Sequence, residues 1–423
     1  MKRAVKVGIV GLGVRTEVLL AAFLQMDDME VIAVCDLQED RIRKILEIFQ
    51  KYGKHAPRTF TNYHDMLKLE ELEAVFIPTS WNSHLQIAAD CMEAGKYAAI
   101  EVGGAASLDE LWQLIRAYER TKTPVMMLEN CCYCREELLV MNLVRKGLLG
   151  ELVYCEGGYE HNLRNTLARM EYTGEERAYH NRFRNGELYP THELGPIAKI
   201  LRINRGNRFL SLTSTATKSV SIPAWRREQT AKGERTYPDV PFHQGDMITT
   251  VIKCAGGEVI TLHHSVSLPR PYSRNGRVQG TKGIWLEDVN GLYIEGMSRD
   301  ETKLDAAGNP YDCHYWDKIE DYYEEYDHPI WKKYKDNLLG GHGGLDSLVI
   351  RAFLDAVRNR ENTPIDVYDV AAWMAVTCLS EQSIALGSMP VAFPDFTNGK
   401  WIRREPTPKN QWNLDDICEE CFE

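Results

Sequence analysis

Residues 4–128 alternate short β-rich runs with helical patterns, and this rhythm restricts the fold more than any other feature of the chain. The runs "AVKVGIVG", "EVIAVCD", "EAVFIPT", "YAAIEV" and "PVMMLEN" are separated by "VRTEVLLAAFLQ", "EDRIRKILEIFQKY", "SHLQIAADCMEAG" and "LDELWQLIRAYERT". Strands joined by crossover helices pair in parallel. The expectation is therefore an α/β fold, a doubly wound Rossmann sheet with ligands at the carboxyl ends of its strands. Gly11 and Gly13 in "VGIVGLGVRT" follow the first strand and precede a helix. Gly11 permits the tight turn, and Gly13 lets backbone N–H groups approach a pyrophosphate that the helix dipole attracts. Asp36 ends the next strand, placed to take both ribose hydroxyls and to repel a ribose phosphate, so NAD is expected rather than NADP. Thr16, where a third Gly or Ala is usual, is expected to hold the helix slightly farther from the sheet.

After Asn130 the rhythm changes. A helix leads into "ELVYCEGGYEHN", then a polar loop, a helix near 191–202, and strands around 209–218, 247–254, 258–268 and 276–287. That order predicts a second, α+β domain on an open, largely antiparallel sheet. The expected division is 1–130 for NAD binding and 131–423 for substrate binding and oligomerisation. A chain of 423 residues, 44% hydrophobic, has material for both cores. Residues 310–336, dense in Tyr, Trp and acids, read either as a sugar-stacking lid or as a partly buried interface or surface segment.

The formal charge of −11 argues against a nucleic-acid partner, which needs a basic face. The longest apolar candidate for a membrane span, "VAAWMAVTCLSEQSIALG", is interrupted by Glu381 and Gln382. The first apolar run is broken by glycines at strand spacing and lacks a small-residue cleavage site, so it reads as a strand rather than a signal peptide, and the cytoplasm is expected. Eleven cysteines, an odd number in core-like elements, fit reduced thiols better than a disulfide framework. "CCYC" at 131–134 and "CEEC" at 418–421 could share a zinc ion, but neither has finger or ribbon spacing, and no metal is expected. Glu419 and Glu420 would raise the thiol pKa values of the second pair, which weakens a redox reading.

The fourth and fifth strands end in "FIPTSWNSH" and "AAIEVGG", where a nicotinamide lies in such a sheet, so Trp81, Asn82, His84, Glu101 and Val102 are candidates to touch it. His84 could equally cap a helix or serve structure alone. His342, between two glycine pairs ahead of a helix, either approaches a ligand or merely marks a flexible helix entry.

The order of glycine turn, Pro78, His84, "AGK" at 94–96 and Glu101 resembles the glucose–fructose oxidoreductase, inositol dehydrogenase and MocA family over nearly the whole chain. The family's usual Glu-Lys-Pro is Glu101-Val102-Gly103 here, without the lysine that commonly serves its dehydrogenases. A narrower resemblance is carried by "ENCCY" at 129–133, "GGYEHNLRN" at 157–165, "NGELYPTHELGP" at 185–196, "LPRPYSRNGRVQGTKG" at 268–283 and "GGHGGLD" at 340–346. Together these are similar to glycoside hydrolase family 109, which includes NAD-dependent α-N-acetylgalactosaminidases. The resemblance implies that Val14, Arg15, Asp36, Trp81, Asn82, Ser83, His84, Glu101, Val102 and Asn130 contact NAD. It also implies that Tyr159, Arg177, Tyr189, Pro190, Thr191, His192 and Tyr272 contact the sugar, and that the chain forms a dimer or tetramer.

The chemistry implied is redox-neutral glycoside hydrolysis: transient oxidation at C3, loss of the acidified C2 proton, elimination at C1, water addition and return of the hydride. "LYPTHELGPIAKIL" has apolar residues at 194, 197, 200 and 201, a helical spacing, with Thr191 a plausible N-cap and His192 in the first turn. A helix N-terminus disfavours imidazolium, so His192 is expected to be neutral and able to accept the C3 hydroxyl proton. Tyr159 is the candidate C2 base or proton relay at C1, and Pro190 holds Tyr189, a third catalytic candidate, beside the histidine. The bland alternatives are a cap-region histidine and an ordinary strand tyrosine. Three other activities remain open: a two-carboxylate glycosidase using Glu160, Glu187 or Glu193; an NAD-dependent sugar dehydrogenase forming a 3-keto-glycoside; and a non-catalytic NAD or sugar sensor.

Overall fold

The computed structural model describes residues 3–173, 176–233, 240–298, 303–304, 306–308, 310–311, 315–340, 342–404 and 410–422. The first sheet contains β1 (Val5–Val10), β2 (Met29–Cys35), β3 (Arg58–Phe60), β4 (Ala74–Ile77), β5 (Tyr97–Ile100) and β6 (Val125–Met127). They pair in parallel in the order β3, β2, β1, β4, β5, β6. The order reverses between β1 and β4, which opens a crevice at their carboxyl ends. Helices α1 (Val14–Phe23), α2 (Glu39–Lys51), α3 (Tyr63–Leu67), α4 (His84–Glu93) and α5 (Leu108–Thr121) form the crossovers. In α2, Ile42, Ile45 and Phe49 recur at helical spacing and are buried. In α5, Ser107 accepts the Glu110 N–H and starts the helix.

A second sheet follows α6 (Arg135–Arg145). Its strands are β7 (Leu152–Glu160), β8 (Phe209–Ala216), β9 (Ile248–Cys254), β10 (Val259–Ser265), β11 (Arg277–Gly280), β12 (Gly283–Leu286), β13 (Gly291–Ile294) and two short edge strands. A separate pair, β14 (Lys303–Leu304) and β15 (Pro310–Tyr311), precedes the edge strand β16 (Asp317–Lys318), and β17 (Val391–Ala392) closes the far edge. All neighbours in this nine-stranded sheet are antiparallel except β7 and β10. The expected strand at 276–287 is the hairpin β11–β12, because Thr281 and Lys282 between two glycines supply a two-residue turn.

Helices α7 (Arg164–Thr173), α8 (Glu176–Phe183) and α9 (Thr191–Ile200) lie between β7 and β8. The last ends slightly before the expected 202, where Arg202 and Asn204 turn left-handed, at φ 55° and 68°. Gly157 of β7 and Gly195 of α9 determine how closely α9 can sit. A Cβ on Gly157 would collide with Glu193, and one on Gly195 would press on Glu129 Cγ at 3.0 Å and Cys132 Sγ at 3.1 Å. With both positions bare, α9 lies against β7 on one side and against residues 129–132 on the other.

Helix α10 (Ser221–Ala231) follows β8, and α11 (Tyr323–Tyr326) and α12 (Pro329–Tyr334) follow β16. The described part of the aromatic segment around them is partly buried, with Tyr315 and Trp316 exposed. Ile319, Tyr322 and Ile330 are buried, Arg135 of α6 lies 3.7 Å from the Tyr323 ring, and Trp331 Nε1 donates to the Tyr133 carbonyl at 2.9 Å. Residues 312–314 lie outside the described residues.

The chain then returns to the first sheet. In α13 (Leu345–Asn359), Phe353 meets Phe76 of β4 edge-on at 5.3 Å. Helix α14 (Val367–Ala385) is buried nearly all round, between β8 on one side and α5 and β6 on the other. Its start is a capping box in which Asp366 accepts the Tyr368 and Asp369 N–H groups and Asp369 accepts the Asp366 N–H.

Eight described cysteines are free, as expected, but Cys418 and Cys421 form a disulfide, a correction to the fully reduced reading. Being bridged, this pair offers no thiolate for a zinc ion shared with 131–134. No described helix is long and apolar enough to cross a membrane.

Candidate active site

A cavity of about 500 Å³ lies over the crevice between β1 and β4, lined by Gly11, Gly13, Asp36, Arg41, Asn82 and Ser83 among others. Gly11 has φ +92°, and a Cβ there would press on Thr79 Cγ2 at 2.7 Å. Gly13 is the N-cap of α1, with nothing within 4 Å of where its Cβ would stand, so the first amides of the helix are open to an approaching group. The Asp36 carboxylate accepts the Leu12 N–H at 2.7 Å and the Gln38 N–H at 2.9 Å, which fixes it at the cavity wall. Thr16 donates its hydroxyl to the Gly11 carbonyl at 2.5 Å, tying helix to turn. Bare turn, open helix start and fixed carboxylate together fit the pyrophosphate and adenosine ribose of NAD.

Pro78 and Thr79 also line a second cavity, of about 340 Å³, so the two adjoin at the end of β4. Its walls come from both halves of the chain: Arg15, Trp81, Glu101, Val102 and Asn130 from the first, Tyr159, Arg177, Tyr189 and His192 from the second. Val102, which stands in the sequence where the resemblance to the wider family implies lysine, lines this cavity. Gly103 follows at φ +154°, and a Cβ there would collide with the Trp81 indole. The departure from Glu-Lys-Pro therefore makes room for a tryptophan.

Arg15 is clamped at this junction. Its Nε donates to Glu101 at 2.8 Å, and both Nη atoms donate to Asp346 of α13 at 3.1 Å. Burial works against the guanidinium charge, but Glu101 and Asp346 hold its pKa above the ordinary value. Asn130 donates to the same Asp346 at 2.9 Å. One buried carboxylate thus positions two of the expected NAD contacts.

The opposite wall is aromatic. Tyr159 and Tyr189 have ring centroids 4.5 Å apart, Trp81 stacks on His180 at 4.9 Å, and Tyr272 meets Tyr159 edge-on at 6.0 Å. The Arg177 guanidinium sits 4.8 Å from the Tyr189 ring centre and donates to the Tyr159 hydroxyl at 3.4 Å. Burial pushes the Tyr189 phenol pKa well up, so this group stays neutral and can donate.

His192 is held from behind. Its Nδ1 lies 2.8 Å from Glu129 Oε1, and the same oxygen accepts the Cys131 N–H at 3.1 Å. Glu129 is completely buried. Burial raises its pKa, but the imidazole contact and the backbone donor outweigh that and hold it below the usual carboxylate value. An ionised carboxylate only accepts, so Nδ1 carries the shared proton, and in a neutral ring Nε2 keeps a free lone pair. Thr191 is not the N-cap. Pro190, at φ −74° and ψ −20°, occupies that position, and Thr191 is the first helical residue. Cys131 completes a trio with Glu129 and His192 whose potential ligand atoms all lie within 4.8 Å of one another, a grouping the sequence reading did not single out.

Several expected residues stand elsewhere. Val14 is 67% exposed and His84 is fully buried, and neither lines these cavities among the described residues. Tyr272 stands at the rim, 49% exposed, touching the cavity through Tyr159. The side chain of His342 lies outside the described residues. The alternative carboxylates do not line the sugar-sized cavity either. Glu160 pairs with Arg270, Glu187 faces His264 at 3.4 Å, and Glu193 is buried in a cluster with Arg274 and Glu137. Sequence reading missed Glu129, Asp346 and His180. The first two lay inside motifs quoted for other reasons, and nothing in spacing marked the third.

Residues 5–129 match the oxidoreductase family with an NAD-binding Rossmann fold, and residues 133–403 match the glycosyl hydrolase 109 C-terminal domain. The chain belongs to glycoside hydrolase family 109. An α-N-acetylgalactosaminidase of Tannerella forsythia is 37% identical, the alignment covering 94% of this chain and 87% of that one. A glycosyl hydrolase family 109 protein of Stenotrophomonas maltophilia is 38% identical over 96% and 91%. Among solved structures, apo scyllo-inositol dehydrogenase from Lactobacillus casei has the same fold, with TM-score 0.63, 12% identity, and coverage of 93% and 99%. This family 109 chain is thus an NAD-dependent enzyme of the glycosidase and oxidoreductase group, with a Rossmann unit and a mostly antiparallel second sheet.

Proposed function

We propose that this family 109 enzyme hydrolyses an α-N-acetylgalactosaminide or a related hexoside by transient oxidation at C3. The observation that carries the reading is His192, with Nδ1 on a buried carboxylate, in one cavity with Tyr159 and with Glu101 and Asn130 from the cofactor side. Bound NAD⁺ would supply the hydride acceptor at C3 and the hydride donor at the end of the turnover. His192 Nε2 takes the C3 hydroxyl proton. Tyr159, with the Arg177 guanidinium beside its oxygen, takes the C2 proton or relays one at C1, and Tyr189 donates a hydrogen bond to the sugar. Tyr272 borders the sugar from the rim, and Arg177 orients it. Gly11, Gly13, Asp36, Asn82 and Ser83 would hold the adenosine half of the cofactor; Arg15, Trp81, Glu101, Val102 and Asn130 would hold the nicotinamide half.

The T. forsythia relative supports the sugar assignment, and the absence of a carboxylate pair on the cavity wall, among the described residues, supports the route. The test is cleavage of an aryl α-N-acetylgalactosaminide with catalytic NAD⁺ and no accumulation of NADH. Stoichiometric NADH would make the enzyme a 3-keto-glycoside-forming dehydrogenase, the reading that the polyol dehydrogenase fold also accommodates. A cytoplasmic location is supported by the eight free thiols. A homo-oligomer is supported by the exposed strand residues Val153, Leu210 and Val251.

A further inference from the structure

We propose that Glu129, Cys131 and His192 form a binding site for a thiophilic divalent cation of the zinc class, and that occupancy switches the enzyme off. The three side chains offer O, S and N donors within 4.8 Å of one another. Glu129 is 0% and Cys131 6% exposed, while His192 lines the cavity, so the imidazole joins two buried donors to the active site. Glu129 and Cys131 flank Asn130 at the start of a 3-10 turn, and the Cys131 N–H bond to Glu129 fixes their relative positions. His192 arrives from α9, brought close by Gly195.

Three protein ligands of mixed N, S and O character are a donor set that zinc takes in tetrahedral sites whose fourth position is left to water or another ligand. With bonds of about 2.0 to 2.3 Å, the ligand atoms of such a site stand roughly 3.3 to 3.8 Å apart. The Glu129–His192 contact of 2.8 Å must open by about half an ångström, and separations of up to 4.8 Å must close by no more than about one to one and a half. The thiol selects against magnesium and calcium, which take oxygen ligands. On binding, Cys131 releases its thiol proton and the metal takes the sulfur lone pair.

Loss of activity follows from the imidazole. If the cation binds Nε2, the lone pair that accepts the sugar proton is occupied. If it binds Nδ1, the single proton of the neutral ring moves to Nε2, which then donates rather than accepts. Either way His192 stops acting as a base. This consequence rests on the role proposed for His192, whereas the metal site does not.

The test uses full-length, NAD-loaded protein stripped with a chelator and then dialysed against zinc chloride or titrated with cobalt chloride. Expected are one tightly bound zinc per chain, a thiolate-to-cobalt charge-transfer band in the near ultraviolet, and inhibition reversed by EDTA. Cys131→Ser should lose the band, bind zinc at least about tenfold more weakly and resist inhibition, while its metal-free activity stays within about twofold of the parent. Cys378→Ser, a free cysteine outside the trio, should behave as the parent and controls for loss of a thiol. No stoichiometric zinc, or zinc binding and a cobalt band unchanged in Cys131→Ser, overturns the site. Cysteine-dependent zinc binding with activity unaffected confirms the site and counts against the proton role of His192.

Discussion

Glu129 Oε1 and His192 Nδ1 are 2.8 Å apart, and the carboxylate is completely buried. This pair changes the reason for expecting a proton-accepting histidine. The helix N-terminus alone would keep the imidazole neutral by repelling charge. The carboxylate fixes the tautomer and stabilises the imidazolium that forms as the sugar proton arrives, so the ring can both accept and hold it. Glu129→Gln should therefore lower kcat by about 10² or more while leaving KM within about threefold, and should change the pH profile of kcat. Steady-state kinetics across pH decides it. A large rise in KM with kcat unchanged would reduce Glu129 to a packing residue.

The seating of α9 depends on a missing side chain. Gly157→Ala places a methyl group against Glu193, and the helix that carries His192 must shift or the cluster beneath it must distort. A loss of about 1 to 3 kcal/mol in chemical denaturation is expected, with kcat falling more than NAD affinity. Unchanged stability and activity would show that α9 has slack.

Asp36 faces a cation of its own. Arg41 Nη1 lies 3.7 Å from the carboxylate at the wall of the adenosine cavity. Asp36→Ser removes the acceptor for the ribose hydroxyls and releases Arg41 toward a 2′-phosphate. NAD should bind about 10- to 100-fold more weakly and NADP more tightly, measured by calorimetry with each dinucleotide.

Acid is expected to weaken the fold at His328. Burial pushes its pKa down to about 3, and its Nδ1 accepts the Ile330 N–H at 3.1 Å at the start of α12, which needs a neutral ring. The folded pKa lies below the unfolded value of about 6.5. Its stability contribution is therefore complete above that pH and declines as the pH falls toward 3, by at most about 1.4 kcal/mol per pH unit. His328→Asn keeps an N-cap acceptor without a titrating ring. Urea midpoints at pH 7 and pH 5 should fall less for this variant than for the parent.

The glycine turn, Asp36 and the alternation of strand and helix could be read from sequence because each is a local signal within one βαβ unit. The contents of the sugar-sized cavity could be listed from motifs, but their arrangement could not. Glu129 meets His192 because α9 docks on residues 129–132 with Gly195 at the contact, an approach no periodicity encodes. Asp346 reaches Arg15 across 331 positions, when α13 returns to the first sheet. Thr191 looked like an N-cap by chemistry, but Pro190 already enters the helix with helical dihedrals and takes the position. Glu160, Glu187 and Glu193 looked available as acids, but they face Arg270, His264 and the Arg274–Glu137 cluster and do not line the cavity.

The most direct test is hydrolysis of an aryl α-N-acetylgalactosaminide in heavy water, followed by mass and proton analysis of the released sugar. The account predicts deuterium at C2, bound when the proton removed there is replaced from solvent, together with dependence on NAD⁺ and near-complete loss in His192→Ala. Cleavage that leaves the C2 hydrogen in place would contradict it.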